Sequence, residues 1–239
     1  MSPVQRPLAS PPVQRRLLLF FMVVLLLIAC GDTTGEQTTI TVPPVALTPA
    51  QTLDAFLGAL QSGAYDETAP HVDEAQVALF ASIEDASAST FLMLTDSGLT
   101  SQVRTNFWSS FAGAIDGLEG STSADVIIDE QGQFVTAGER FARVDLRFRG
   151  EVASGVWVLR NVDDIWLVDP IATFGGAFVS PVRLWMRSID PVDYPPVLSR
   201  VAGFRPSWEA LAALQDENDE AGVAVLAELE GLLAELGGS

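Results

Sequence analysis

Lysine is absent from this 239-residue chain, and histidine and cysteine occur once each, as His71 and Cys30. Each shortage removes a class of chemistry. A single cysteine closes no intramolecular disulfide, so the fold must stand on its core; about 190 residues beyond position 48 suffice for one sizeable core. One histidine is too few for a zinc site, which recruits Cys and His together, and we expect no metal and no cofactor. No Gly-rich phosphate loop, Ser-centred nucleophile elbow or HExxH occurs. Asp216-Glu217-Asn218-Asp219-Glu220 offers oxygen ligands, but Ala221 stands where an EF-hand loop needs Gly. It reads as a solvated acidic turn before a last helix. No internal repeat is present, and no apolar run reaches the ~20 residues of a membrane-crossing helix.

Positive charge is scarce as well. All 31 acidic residues follow Cys30, against 10 of the 13 arginines, which leaves −21 after that position. A surface so acidic repels phosphate backbones and anionic headgroups, which excludes nucleic acid as a partner and a basic patch as a membrane anchor.

The longest apolar run is Leu17 to Ala29, LLLFFMVVLLLIA. Arg6, Arg15 and Arg16 precede it, and Gly31-Asp32 follows Cys30 at once. A basic start, a short apolar middle and a small residue before the break describe an export signal. Gln14-Arg15-Arg16 with Leu17-Leu18 resembles a loose twin-arginine signal, but the Leu- and Phe-rich core favours general secretion. Leu27-Ile28-Ala29-Cys30 resembles a bacterial lipobox. The resemblance implies diacylglycerol on the Cys30 thiol and cleavage before it, with attachment at the extracytoplasmic face of the cell membrane. One acyl chain holds only marginally and two anchor stably, so the expected modification meets the requirement.

The chain therefore divides into 1–29, a signal peptide, and 30–47, a lipidated Cys with a Thr/Pro-rich tether. An α+β domain at 48–174 and a helical extension at 175–239 follow. Thr48-Pro49-Ala50-Gln51 carries an N-cap, a first-turn Pro and a capping-box Gln. Leu53, Phe56, Leu57 and Leu60 then fall on one helical stripe, which Gly63 ends. Further helices are predicted over 73–85, with Val77, Leu79, Phe80 and Ile83 apolar, and over 99–118, with Val103, Phe107, Phe111 and Ile115. After Gly120 the period drops to two. Ala142, Val144, Leu146 and Phe148 alternate with Arg143, Asp145, Arg147 and Arg149, as in a strand with one wet face. Strands 156–159 and 165–168 flank Asn161-Val162-Asp163-Asp164, a hairpin turn. Shorter strands are expected at 126–128 and 134–135, and helices at 207–215 and 220–236.

TPAQTLDAFLGALQSGAYDETAPHV resembles the first helix and turn of nuclear-transport-factor-like domains. VWVLRNVDDIWLVDP resembles their last two strands. The two matches span about 40 residues of the domain; the family needs less helix than 73–118 supplies, and the residues after Phe174 have no counterpart in it. The resemblance implies an α+β fold, N-terminal helices packed on a curved antiparallel sheet in a cone, here with additional C-terminal helices. It also implies a possible ligand cavity lined by Phe56, Trp157 and Trp166.

No catalytic set matches residue by residue. Among the family's enzymes an isomerase or dehydratase would need His71 or Asp66 as base and Tyr65 as donor. A turn that caps and packs is the simpler reading of that segment. The Arg143, Arg147, Arg149 row reads as a wet sheet face paired with carboxylates. Trp185 and Trp208 read as core, with Leu184-Trp185-Met186 as a possible lid or partner surface. The expectation is a non-catalytic, membrane-anchored binding or interaction module whose partner is a protein or an apolar small molecule. The alternatives are a carrier holding an apolar molecule or lipid in the cone, and an isomerase/dehydratase-like enzyme.

Overall fold

The computed structural model describes residues 46–114, 126–148, 151–215 and 219–237. The chain divides at Pro44, and Val45–Ser239 is one compact unit, so the segments 48–174 and 175–239 belong together. Among the described residues no helix is long and apolar enough to cross a membrane.

The capping box forms as its residues dictate. The Gln51 backbone N–H donates to Thr48 Oγ1 at 3.3 Å and Gln51 Oε1 accepts from the Thr48 N–H at 2.9 Å. Helix α1 (Pro49–Ser62) ends at Gly63, whose φ of 69° lies in the left-handed region. A 3-10 segment, Tyr65–His71, leads to Val72, which bridges Val168 in parallel. Helices α2 (Glu74–Glu84), α3 (Ala88–Ser97) and α4 (Ser101–Ala114) follow, capped at α2 by Asp73 and at α3 by Ser87.

The sheet is a four-stranded antiparallel meander, β1 (Val126–Thr136), β2 (Glu139–Phe148), β3 (Glu151–Val162) and β4 (Ile165–Val168), in that spatial order. The two short strands expected at its start are one strand. A bulge between Glu130 and Gly132 shifts the alternation there, which is why a period of two breaks in the sequence. That bulge and the acids Asp129 and Glu130 sit on the edge strand, where they discourage pairing with another chain. The last hairpin turns on Asp163 and Asp164 alone, both left-handed at φ 50° and 64°.

Beyond the sheet the described elements are all helical, joined by short turns: α5 (Pro170–Phe174), a 3-10 turn Gly175–Phe178, α6 (Val179–Ser188), α7 (Tyr194–Ala202), α8 (Arg205–Ala213) and α9 (Glu220–Gly237). Three prolines are helix starts: Pro170, Pro195 and Pro206 sit at the first or second position, where no N–H is needed.

Three cores result. One lies between the sheet and α1 with α4; it contains the α1 stripe, Trp108, and Ala142, Val144, Trp157 and Leu159 from the strands. A second joins Leu79, Phe80 and Phe91 of α2 and α3 to α6 through α9. A small third, Phe141 and Val158 against Ala172 and Ala210, closes part of the opposite sheet face.

Gly231 in α9 makes room for the Arg183 guanidinium, which meets Glu228 at 2.7 Å and Glu235 at 3.1 Å. A Cβ at Gly231 would lie 2.6 Å from Arg183 Cζ. Ala gains about 1 kcal/mol of helix propensity over Gly, and the displaced, largely surface ion pairs give back a similar amount. Gly231→Ala should therefore leave urea stability within about 1 kcal/mol of wild type. In that background a double-mutant cycle should find the Arg183–Glu228 coupling gone.

Candidate functional site

The expected cavity residues all point into the first core. Phe56 is fully buried, with Trp157 and Trp166 at 7% and 9% exposure. The Phe56 ring lies 5.0 Å from Trp108, edge-on, and 5.8 Å from Trp157. The space between α1 and the sheet is occupied at these positions by the protein's own rings. Trp166 also carries the Arg140 guanidinium 5.9 Å from its ring centre.

The catalytic alternative finds its residues at the surface side of the 3-10 segment. Asp66 is exposed and meets Arg104 Nη1 at 2.5 Å, and Arg104 Nε meets Glu74 at 2.6 Å. His71 is half-buried, and that burial holds its imidazole below the usual value. Tyr65 packs against the first core. Arg143 and Arg147 lie on the outer sheet face, each nearly half exposed, with Asp145 at 3.5 Å and Asp129 at 4.0 Å respectively. Asp129 and Asp145 stand directly opposite across the strands, so the two arginines separate like charges. Leu27, Ile28, Ala29 and Cys30 lie outside the described residues, as do Arg149 and positions 216–218. Among the described residues no group of three or more His, Cys, Asp or Glu could hold a metal ion.

Two features went unread in the sequence. The first is a buried polar knot at Asp169. Asp169 is fully buried at the N-cap of α5, where Oδ1 accepts from the Ala172 N–H at 2.8 Å. Ser207 on α8 donates its hydroxyl to Asp169 Oδ2 at 2.6 Å, and Gln76 Nε2 donates to Ser207 Oγ at 2.9 Å. Gln76 Oε1 accepts from the Ile171 N–H at 2.8 Å. Arg160 of β3 pairs with Asp73, meets Glu139 at 3.1 Å and leaves its Nε 3.6 Å from Asp169, too far to count as a hydrogen bond. Burial pushes the Asp169 carboxyl up to about 6, against the opposing pull of Ser207, the Ala172 N–H and Arg160. The knot ties β3, α2, α5 and α8 together. With Asp169, Ser207 and Gln76 all shielded from solvent, its work is structural.

The second is a cleft of about 530 Å³ where α2 ends beside α4 and the Phe174–Phe178 turn. Its floor is Phe107, Phe111, Phe174 and Phe178, all partly exposed. Phe111 and Phe174 meet at 4.6 Å, and Phe107 stacks on Phe111 at 6.3 Å. Glu84 and Asp85 stand exposed at the rim, and among the described residues no cationic side chain lines the cleft. The expected α4 stripe explains why the cleft exists. Val103, Phe107 and Phe111 recur every four residues, so they drift round a helix of 3.6 residues per turn. Trp108 takes the core position, fully buried, and its neighbours are left on the flank.

Comparison with protein-family models, curated proteins and solved structures finds no match to this chain. Function is therefore argued from the sites themselves.

Proposed function

We propose that this chain is a lipid-anchored, extracytoplasmic binding module on a nuclear-transport-factor-like scaffold, and that it takes its ligand in the phenylalanine cleft. The observation that carries the reading is four partly exposed phenylalanines sharing one concave site of about 530 Å³. Single exposed apolar residues are ordinary, whereas aromatic surface gathered in a cleft of this size is how small-molecule sites are built. The ring packing around Phe56 favours this cleft over carriage inside the cone. A non-catalytic role accords with Asp66 being exposed and paired with Arg104.

Attachment rests on Leu27-Ile28-Ala29-Cys30 after its basic and apolar lead. In the native host, wild-type protein should incorporate labelled palmitate and lose 29 residues. Cys30→Ala should remain at precursor mass and take up no label. Label on the variant, or an unchanged cleavage, would remove the anchor from the reading.

A further inference from the structure

The rim of the cleft is charged in one sense only. Glu84 and Asp85 are exposed, and among the described residues neither carboxylate has an ion-pair or hydrogen-bond partner. Free exposed carboxylates occur elsewhere on this acidic surface, but here two stand at the mouth of one cleft, and the neighbouring Arg104 is already shared by Asp66 and Glu74. Glu84 is the last residue of α2 and Asp85 its C-cap, and the last turn of that helix holds no basic residue. The unsatisfied carbonyls of a helix C-terminus add partial negative charge at the same place. A cation is the natural complement there, and none of the described residues lining the cleft supplies one.

Below the rim the surface changes character within one side-chain length. The faces of Phe107, Phe111, Phe174 and Phe178 offer apolar contact, and aromatic faces attract cations through their quadrupole. A bare metal ion would find no set of ligands among the described residues. A neutral apolar molecule would leave both carboxylates unanswered. A molecule with both parts would satisfy both surfaces.

Resting on the binding-module reading, we infer that the cleft selects amphipathic organic cations, small molecules with an aromatic or aliphatic body and one ammonium group. The body lies on the phenylalanine floor and the ammonium sits between the Glu84 and Asp85 carboxylates at the end of α2. Recognition is non-covalent, and desolvation of the body against the rings supplies the apolar part of the affinity.

The test compares phenethyltrimethylammonium with its uncharged carbon isostere, (3,3-dimethylbutyl)benzene. Each is titrated into the full chain in phosphatidylcholine nanodiscs at pH 7.5, with empty nanodiscs as the blank. The cation should bind about tenfold more tightly than the isostere, and added salt should weaken the cation alone. The double variant Glu84→Gln, Asp85→Asn changes only exposed side chains, so folding should be intact by circular dichroism. It should bind the cation about tenfold more weakly and leave the isostere unchanged. Equal binding of the two probes would overturn the cation selectivity and leave the cleft as an apolar site. Unchanged binding of the cation to the double variant would overturn the assignment of the carboxylates. Binding of neither probe would overturn both the selectivity and the cleft as the binding site.

Discussion

Replacing Asp169 by Ala is expected to lower unfolding stability by about 3 kcal/mol at pH 7.5, and by about 2 kcal/mol more at pH 4.5. At neutral pH the loss has two sources. The Ala172 N–H loses its cap, and the Ser207 hydroxyl, fully buried, loses its acceptor. The pH dependence follows from the raised carboxyl. An Asp near 3.8 when unfolded and about 6 when folded binds its proton more tightly in the native state. Its contribution is fully present below pH 3.8 and is lost as pH rises through about 6. Wild type therefore gains from this group on acidification and the Ala variant does not, so the gap widens. Asp169→Asn keeps an acceptor for the Ala172 N–H and should cost less than Ala, again without the titration. Urea melts of the three proteins between pH 4.5 and 7.5 check this. A gap that narrows on acidification would contradict it.

Phe56→Ala should cost about 3–5 kcal/mol, among the largest effects of any single truncation in the first core. The ring is fully buried and wedged between Trp108 and Trp157, with strands behind one and α4 behind the other. Neither flanking indole can swing far into the space, because Trp108 is itself closed in by Phe107 at 4.8 Å and Phe111 at 5.3 Å. A site that collapses poorly retains its cavity, and the penalty rises with the volume retained. The midpoint of urea unfolding should fall with the slope unchanged. A loss below about 1 kcal/mol would mean that the first core relaxes around the gap.

The fold was legible wherever local rules and tertiary packing agree. Thr48, Pro49 and Gln51 start α1 because each satisfies a backbone group by itself, whatever lies around it. The β2 alternation was legible because one sheet face meets α1 and the other carries Arg143 and Arg147. Helices α3, α6 and α7 were not read. Helix α3 follows α2 after Asp85, Ala86 and Ser87, and a Ser-rich start masks its short apolar face of Phe91 and Leu94. The prolines at 191, 195 and 196 interrupt the helical pattern there, although Pro195 serves as a helix start. The polar knot was invisible for a different reason. Gln76, Arg160, Asp169 and Ser207 are spread over 131 residues, and no periodicity connects them. Its one local trace is Asp169-Pro170, an N-cap with a first-turn proline. The cleft hid inside the α4 stripe, because a run of apolar positions does not say which of them a neighbouring element will cover.

Helix α9 has a consequence for the timing of synthesis. Leu229, Leu232 and Leu236 are buried in the second core, where α9 packs on α6, α7 and α8. Domains made on the ribosome commonly begin to fold from their N-terminal end as it emerges. Here the second core lacks a wall until position 236 has been added, and Phe80 and Phe91, made about 150 residues earlier, wait for it. An unfinished chain of this design stays loosely packed until α9 has been made.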